Sequence, residues 1–126
     1  MKKIIASDRA PGAIGPYSQA VLAGNLLFIS GQIPLDPVSM QMIGRTAAEQ
    51  AEQVFRNIKA ILEEAGLGFE HVVKTTVLLK SMDDFTSVNE VYARQFKGEY
   101  PARAAYEVAN LPKNALVEIE AIAVKP

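Results

Sequence analysis

The stretch Ala115–Val124, ALVEIEAIAV, alternates strictly between two kinds of side chain. Successive side chains of a strand point to opposite faces, so Ala115, Val117, Ile119, Ala121 and Ala123 form one wholly apolar face, small enough to lie under helices. The other face carries Leu116, Glu118, Glu120, Ile122 and Val124, apolar residues set beside two carboxylates. A sheet with helices on one side must either wet such a second face or cover it with another subunit, and the leucine and isoleucine favour covering. The expected unit is a homo-oligomer whose sheets pack together, with the glutamates at the edge of the interface or in a cleft there.

Working outward, Arg103–Ala109 reads as the preceding strand, separated from the last by a turn at Leu111-Pro112-Lys113-Asn114. Ser18–Gln32 reads as two strands joined at Gly24-Asn25, a dipeptide suited to a tight hairpin. In the second of these, Leu27, Ile29 and Ile33 share a face with Gly31, and Phe28, Ser30 and Gln32 share the other. A glycine there marks either close approach by another group or a plain strand end before Pro34. A loop from Pro34 to Arg45 leads to Thr46-Ala47-Ala48-Glu49, which has the capping-box form. The helix it opens has an apolar stripe at Ala47, Ala51, Val54, Ile58, Ile61, Leu62 and Ala65, with Gly66 at its end. Val73, Thr75, Val77 and Leu79 then give the buried face of a further strand. A second helix begins near Ser81–Asp84 and runs towards Phe96 with a stripe of Phe85, Val88, Tyr92 and Phe96. Asn89 interrupts this stripe, and its amide either ties down a loop or reaches a ligand. The order of strands, helix, strand, helix and strands predicts an α+β domain, a mixed sheet backed by two helices on one face.

A chain of 126 residues is expected to form a single domain, 1–126, and 49% hydrophobic with 21% charged residues is a globular composition. The net charge of −1 weighs against nucleic acid as a partner, since phosphate backbones are held by a surplus of Lys and Arg. With no cysteine there is no disulfide, zinc-thiolate site or thiol nucleophile. The single histidine, His71, lacks neighbours at metal-ligand spacing, so no metal is expected. The start MKKIIASDRAPG is basic but lacks the apolar run of a signal segment, and no membrane-length run follows, so the expected compartment is the cytoplasm with no membrane partner.

Arg103, in PARAAYEV after Pro101, stands among small residues that cannot crowd its guanidinium. Such a group calls for an anion. That anion is either Glu118 or Glu120 across neighbouring strands, or a small carboxylate ligand gripped by the guanidinium fork, and the pattern leaves both open.

The stretches AIGPYSQA, ISGQIP, KTTVLL, VNEVYA, PARAAYEVANLPK and VEIEAIA occur in order along essentially the whole chain, and together they resemble the RidA (YjgF) family of enamine and imine deaminases. The resemblance implies a chorismate-mutase-like α+β fold and a homotrimer whose sheets form an inner barrel, with sites in clefts between subunits. It implies that Arg103 binds the substrate carboxylate and that Glu118 holds the attacking water. Tyr17, Ser30, Gly31 and Asn89 match positions that line the cleft, and Glu120 has no such match. The chain departs from the family where Pro-Ala-Arg-Ser-Cys is usual, because it reads Pro-Ala-Arg-Ala-Ala, with Ala105 in place of the cysteine. Chemistry carried there by the backbone N–H and C=O survives this change, whereas thiol chemistry does not.

The substrates implied are 2-iminobutanoate and 2-iminopropanoate with their enamine tautomers 2-aminocrotonate and 2-aminoacrylate. These also hydrolyse unaided, so positioning and proton transfer suffice and no metal or organic cofactor is expected. In this scheme backbone groups near Gly31 and Ala105 orient the imine nitrogen. A different class of function keeps the Arg103 grip without turnover, as a regulatory module that binds small carboxylates and docks on a metabolic enzyme. Ribonuclease activity, attached to some relatives, finds little support in an acidic chain without a basic aromatic stripe.

Overall fold

The computed structural model describes all residues from Met1 to Pro126. Its elements are β1 (Lys2–Ile5), β2 (Ala20–Ala23), β3 (Leu26–Gln32), α1 (Ala47–Glu64), β4 (Val72–Leu79), α2 (Phe85–Ala93), β5 (Ala102–Glu107) and β6 (Val117–Val124). They form one six-stranded sheet in the order β1-β2-β3-β6-β4-β5. Every pairing is antiparallel except β4 with β5, which α2 connects. The mixed sheet with two helices is the architecture that the sequence predicts.

The last strand lies inside the sheet, and its alternation reads as expected. Val117, Ile119 and Ala123 are fully buried under α1, while Glu118 and Ile122 face the other way and Glu120 is exposed. α1 starts where Thr46 Oγ1 accepts from Glu49 N at 3.1 Å and Glu49 Oε1 accepts from Thr46 N at 3.2 Å. Its stripe of Val54, Phe55, Ile58, Ile61 and Leu62 packs with Leu27, Val77, Val117 and Ile119 in a single core. Each such side chain contributes about 1.5–3 kcal/mol on burial. α1 also carries buried amides that fix the segments at one end of the adjacent central strands β3 and β6. Asn57 Nδ2 donates to Leu35 O at 3.0 Å, just beyond β3, and Gln50 Oε1 accepts from Leu116 N at 2.7 Å, just before β6.

Two β-bulges correct the sequence reading. Ile29 pairs with Ala121 and Gln32 with Ile119, so Ser30 and Gly31 together oppose Glu120. The extra residue shifts the alternation, and Gln32 rather than Gly31 continues the buried face of Leu27 and Ile29. On β4, Val72 pairs with Ala123 and Lys74 with Ile122, which leaves Val73 exposed and buries Val72 in its place. Elsewhere the limits move. α2 ends at Ala93 although Phe96 is still buried in the core, and β5 ends at Glu107. Lys2–Ile5, not expected to be regular, forms an edge strand by pairing with β2.

The sheet face away from the helices has no cover within the chain. Val21, Phe28 and Ile122 stand side by side across β2, β3 and β6, and Phe28 is 43% exposed. β5 is an edge strand without a single buried residue. No helix is long and apolar enough to cross a membrane.

Candidate active site

The bulge on β3 creates the space in which Glu118 sits. A Cβ built on Gly31 would collide with Glu118 Oε2 and lie 2.8 Å from its Cδ, so the carboxylate occupies the position of a missing side chain. Gly31 is required here for close approach and not for a left-handed backbone. Ser30 holds the bulge in place, its N donating to Gln19 O at 2.9 Å and its Oγ to Ser18 O at 2.6 Å. Gln19 in turn organises the loop before β2. Its Oε1 accepts from Ser7 N at 2.6 Å, and its Nε2 donates to Pro11 O at 2.8 Å. Farther along that loop, Tyr17 OH accepts from Ile14 N at 3.3 Å.

Around these residues lies a cavity of 330 Å³ lined by Tyr17, Gly31 and Glu118 together with Gly12, Ile14 and Lys113. Burial pushes the Glu118 carboxyl above its ordinary value, and the like charge of Glu120 pushes it further in the same direction. Neither ion pair in the molecule, Arg9 with Glu63 or Arg94 with Glu52, involves Glu118. A partly buried carboxylate held in no ion pair is poised to take a proton from a water or to give one back.

Arg103 stands elsewhere. On β5 it is in register with Thr75 of β4, and its Nη1 donates to Asn89 Oδ1 at 2.6 Å. The guanidinium lies over the Tyr92 ring at 4.8 Å and the Phe85 ring at 5.3 Å. Tyr92 is a fixed platform, since its hydroxyl shares a 2.6 Å hydrogen bond with Thr75 Oγ1 and its ring packs on Phe96 at 4.9 Å. Burial raises the Tyr92 phenol above its ordinary value, so it stays neutral beneath the cation. Asn89 thus serves the arginine and ties down no loop. Ala105 lies two residues along, in register with Val77 and packed against the core.

The ion pair between Arg103 and a glutamate, one of the two readings that the sequence left open, does not form within the chain. Thr75 points to the helices, whereas Leu78, in register with Glu118, lies on the open face. Arg103 and Glu118 therefore leave the sheet on opposite faces, with roughly 10 Å of strand between their registers. Of the residues expected in one cleft, the chain brings together Tyr17, Gly31 and Glu118 in one place and Arg103, Asn89 and Ala105 in another. Ser30 lines neither; with its hydroxyl bound to Ser18, it borders a separate hollow beside Lys74, Thr76 and Glu120. Sequence reasoning missed Phe85 and Tyr92 as supports of the arginine. Their helical spacing around Asn89 was the available signal. It also missed Ile14 and Lys113, which lie in irregular segments that carry no period. His71 Nδ1 accepts from Gly68 N at 3.0 Å, and no group of acidic and histidine side chains is placed to hold a metal ion.

Comparison with known proteins shows what the whole chain is similar to. The model of a family described as Endoribonuclease L-PSP matches residues 7–125. A human protein named 2-iminobutanoate/2-iminopropanoate deaminase is 52% identical over 125 residues, covering 99% of this chain and 91% of its own. Among solved structures, RidA from an Antarctic Psychrobacter superposes with a TM-score of 0.93 at 49% identity, covering 97% of this chain and 98% of that one. TdcF of E. coli, solved with bound serine, gives a TM-score of 0.93 at 43% identity and covers 98% and 99%.

Proposed function

We propose, from the premise that the chain belongs to the Endoribonuclease L-PSP (RidA, YjgF) family, that it hydrolyses 2-iminobutanoate and 2-iminopropanoate to 2-oxoacids and ammonia. The observation that carries this reading is the pair of unpartnered charges, Glu118 in its cavity and Arg103 on its aromatic platform, which fit the two ends of one small imino acid. The names of the relatives agree with it, as does serine, a small amino acid with the same carboxylate, bound to TdcF.

Because the two charges leave opposite faces of the sheet, the complete site needs a second copy of the chain. A cyclic homotrimer supplies this, each cleft taking Arg103 from one subunit and Glu118 from the next, and it also covers the Phe28 and Ile122 face. In each cleft the Arg103 fork binds the substrate carboxylate, held in plane by Asn89 and the ring of Tyr92. Backbone groups at Gly31 and Ala105 orient the imine nitrogen, and Tyr17 walls the cavity on the side of Glu118. Glu118 accepts a proton from water as the oxygen bonds to the imine carbon. Glu118 passes this proton to nitrogen, and it then relays the hydroxyl proton there as well, so that the C–N bond breaks with ammonia as the leaving group while the carbonyl forms. The products are ammonia and the 2-oxoacid. The uncatalysed reaction is itself fast enough that positioning and one general base suffice.

The test generates 2-iminobutanoate in situ with an amino-acid oxidase and follows its capture by semicarbazide as a function of pH. The protein is expected to suppress capture, with kcat/KM falling as pH drops through the ionisation of Glu118. Burial and Glu120 both raise that carboxyl, so the fall comes at higher pH than for an ordinary carboxylate, and Glu120→Gln, which removes one cause, moves it to lower pH. Unchanged capture at every pH, with 2-oxobutanoate still binding saturably, would instead identify a carboxylate-binding module.

A further inference from the structure

We propose that Lys113 provides a second anion subsite in the Glu118 cavity, so that the enzyme also accepts imino acids whose side chain ends in a carboxylate, of the 2-iminosuccinate class. This rests on the deaminase reading and extends its range of substrates. Lys113 is the one cation among the residues that line the cavity, where Glu118 is the one anion. It takes part in neither ion pair of the molecule, so its charge is free. The chain reaches this arrangement through strained backbone. Lys113 has φ 55° and ψ 28°, and Asn114 has φ 57°, two consecutive residues with a Cβ in the left-handed region. The turn is closed by Asn114 N donating to Leu111 O at 3.2 Å and Ala115 N to Pro112 O at 3.1 Å, and it leads directly into β6 and Glu118.

The substrate carboxylate that identifies an imino acid goes to Arg103, on a different half-site. What remains for the substrate side chain is the cavity wall, where Ile14 and Pro112 suit a methyl or ethyl group and Lys113 suits a distal anion. A flexible ammonium at the rim adapts to either, since it can turn to solvent over an apolar side chain and turn inward over a charged one.

The experiment compares kcat/KM for 2-iminosuccinate, generated from aspartate by an aspartate oxidase, with that for 2-iminobutanoate, both read by competition with semicarbazide. Lys113→Met is expected to lower the ratio of the two by about tenfold, as loss of a charge-assisted contact does, and Lys113→Arg to keep most of it. Both replacements are unbranched, so they leave the left-handed backbone as strained as lysine does. A Lys113→Met protein in which both substrates lose speed equally, or a wild type that ignores 2-iminosuccinate while consuming 2-iminobutanoate, overturns the subsite and leaves the deaminase reading intact. A wild type that consumes neither overturns the deaminase reading and the subsite with it.

Discussion

Arg103→Ala is expected to lower kcat/KM for 2-iminobutanoate by about 100-fold or more, the scale of losing a bidentate charged contact to the substrate carboxylate. Folding should be nearly indifferent. Arg103 is exposed on an edge strand, forms no ion pair, and its stacking over Tyr92 and Phe85 contributes about 0.5–1 kcal/mol at such a site. Arg103→Lys should recover little, because an ammonium keeps the charge but cannot make the fork or lie flat on the ring while donating to Asn89. Steady-state kinetics beside a melting curve and a sizing column check this. An Arg103→Ala protein with full turnover removes the arginine from the mechanism.

Gly31→Ala should be nearly as damaging, for a steric reason. The new methyl would meet the Glu118 carboxylate, whose Oε2, Cδ and Cγ are the nearest atoms, with Cγ at 3.2 Å. These belong to the movable end of a side chain, so the clash is relieved by turning Glu118 away rather than by opening the sheet. Displacing a catalytic group by an ångström costs about 100-fold in rate. The expected result is thus a fall in kcat of that order with a melting temperature within a few degrees of wild type, since a surface adjustment of this kind changes stability by about 0.5 kcal/mol. The two residues act as a unit, and Gly31→Ala added to Glu118→Gln should cause little further loss. Fully multiplying losses would show that Gly31 acts on something other than Glu118.

The fold was legible wherever the period of the side chains held. The strict alternation of Ala115–Val124 gave a buried face and an uncovered face, and the cap and stripe of α1 lie as read. It failed at Gly31 and Val73 because each sits at a bulge, where one added residue reverses which side chains face the core. Nothing local announces a bulge; it is fixed by pairing with a strand distant in sequence, here β6 for both. The same limit explains the site. Arg103 and Glu118 stood out in the sequence as charges among small and apolar residues, but whether they leave the same face depends on the registers of β5 with β4 and of β4 with β6. Asn89 looked like an interruption of a stripe, and only the placement of β5 beside α2 makes it the partner of Arg103.

If each active cleft is made by two chains, as proposed, two inactive variants should complement one another. The measurement is imine loss by mixed assemblies of Arg103→Ala and Glu118→Gln chains, unfolded together in equal amounts and refolded, against each variant treated alone. A ring in which every cleft takes its arginine from one subunit and its glutamate from the next predicts two inactive parents and a mixture in which about a quarter of the clefts are intact, with activity to match. A mixture as inactive as its parents, although shown to contain both chains in the same assemblies, would contradict the shared cleft.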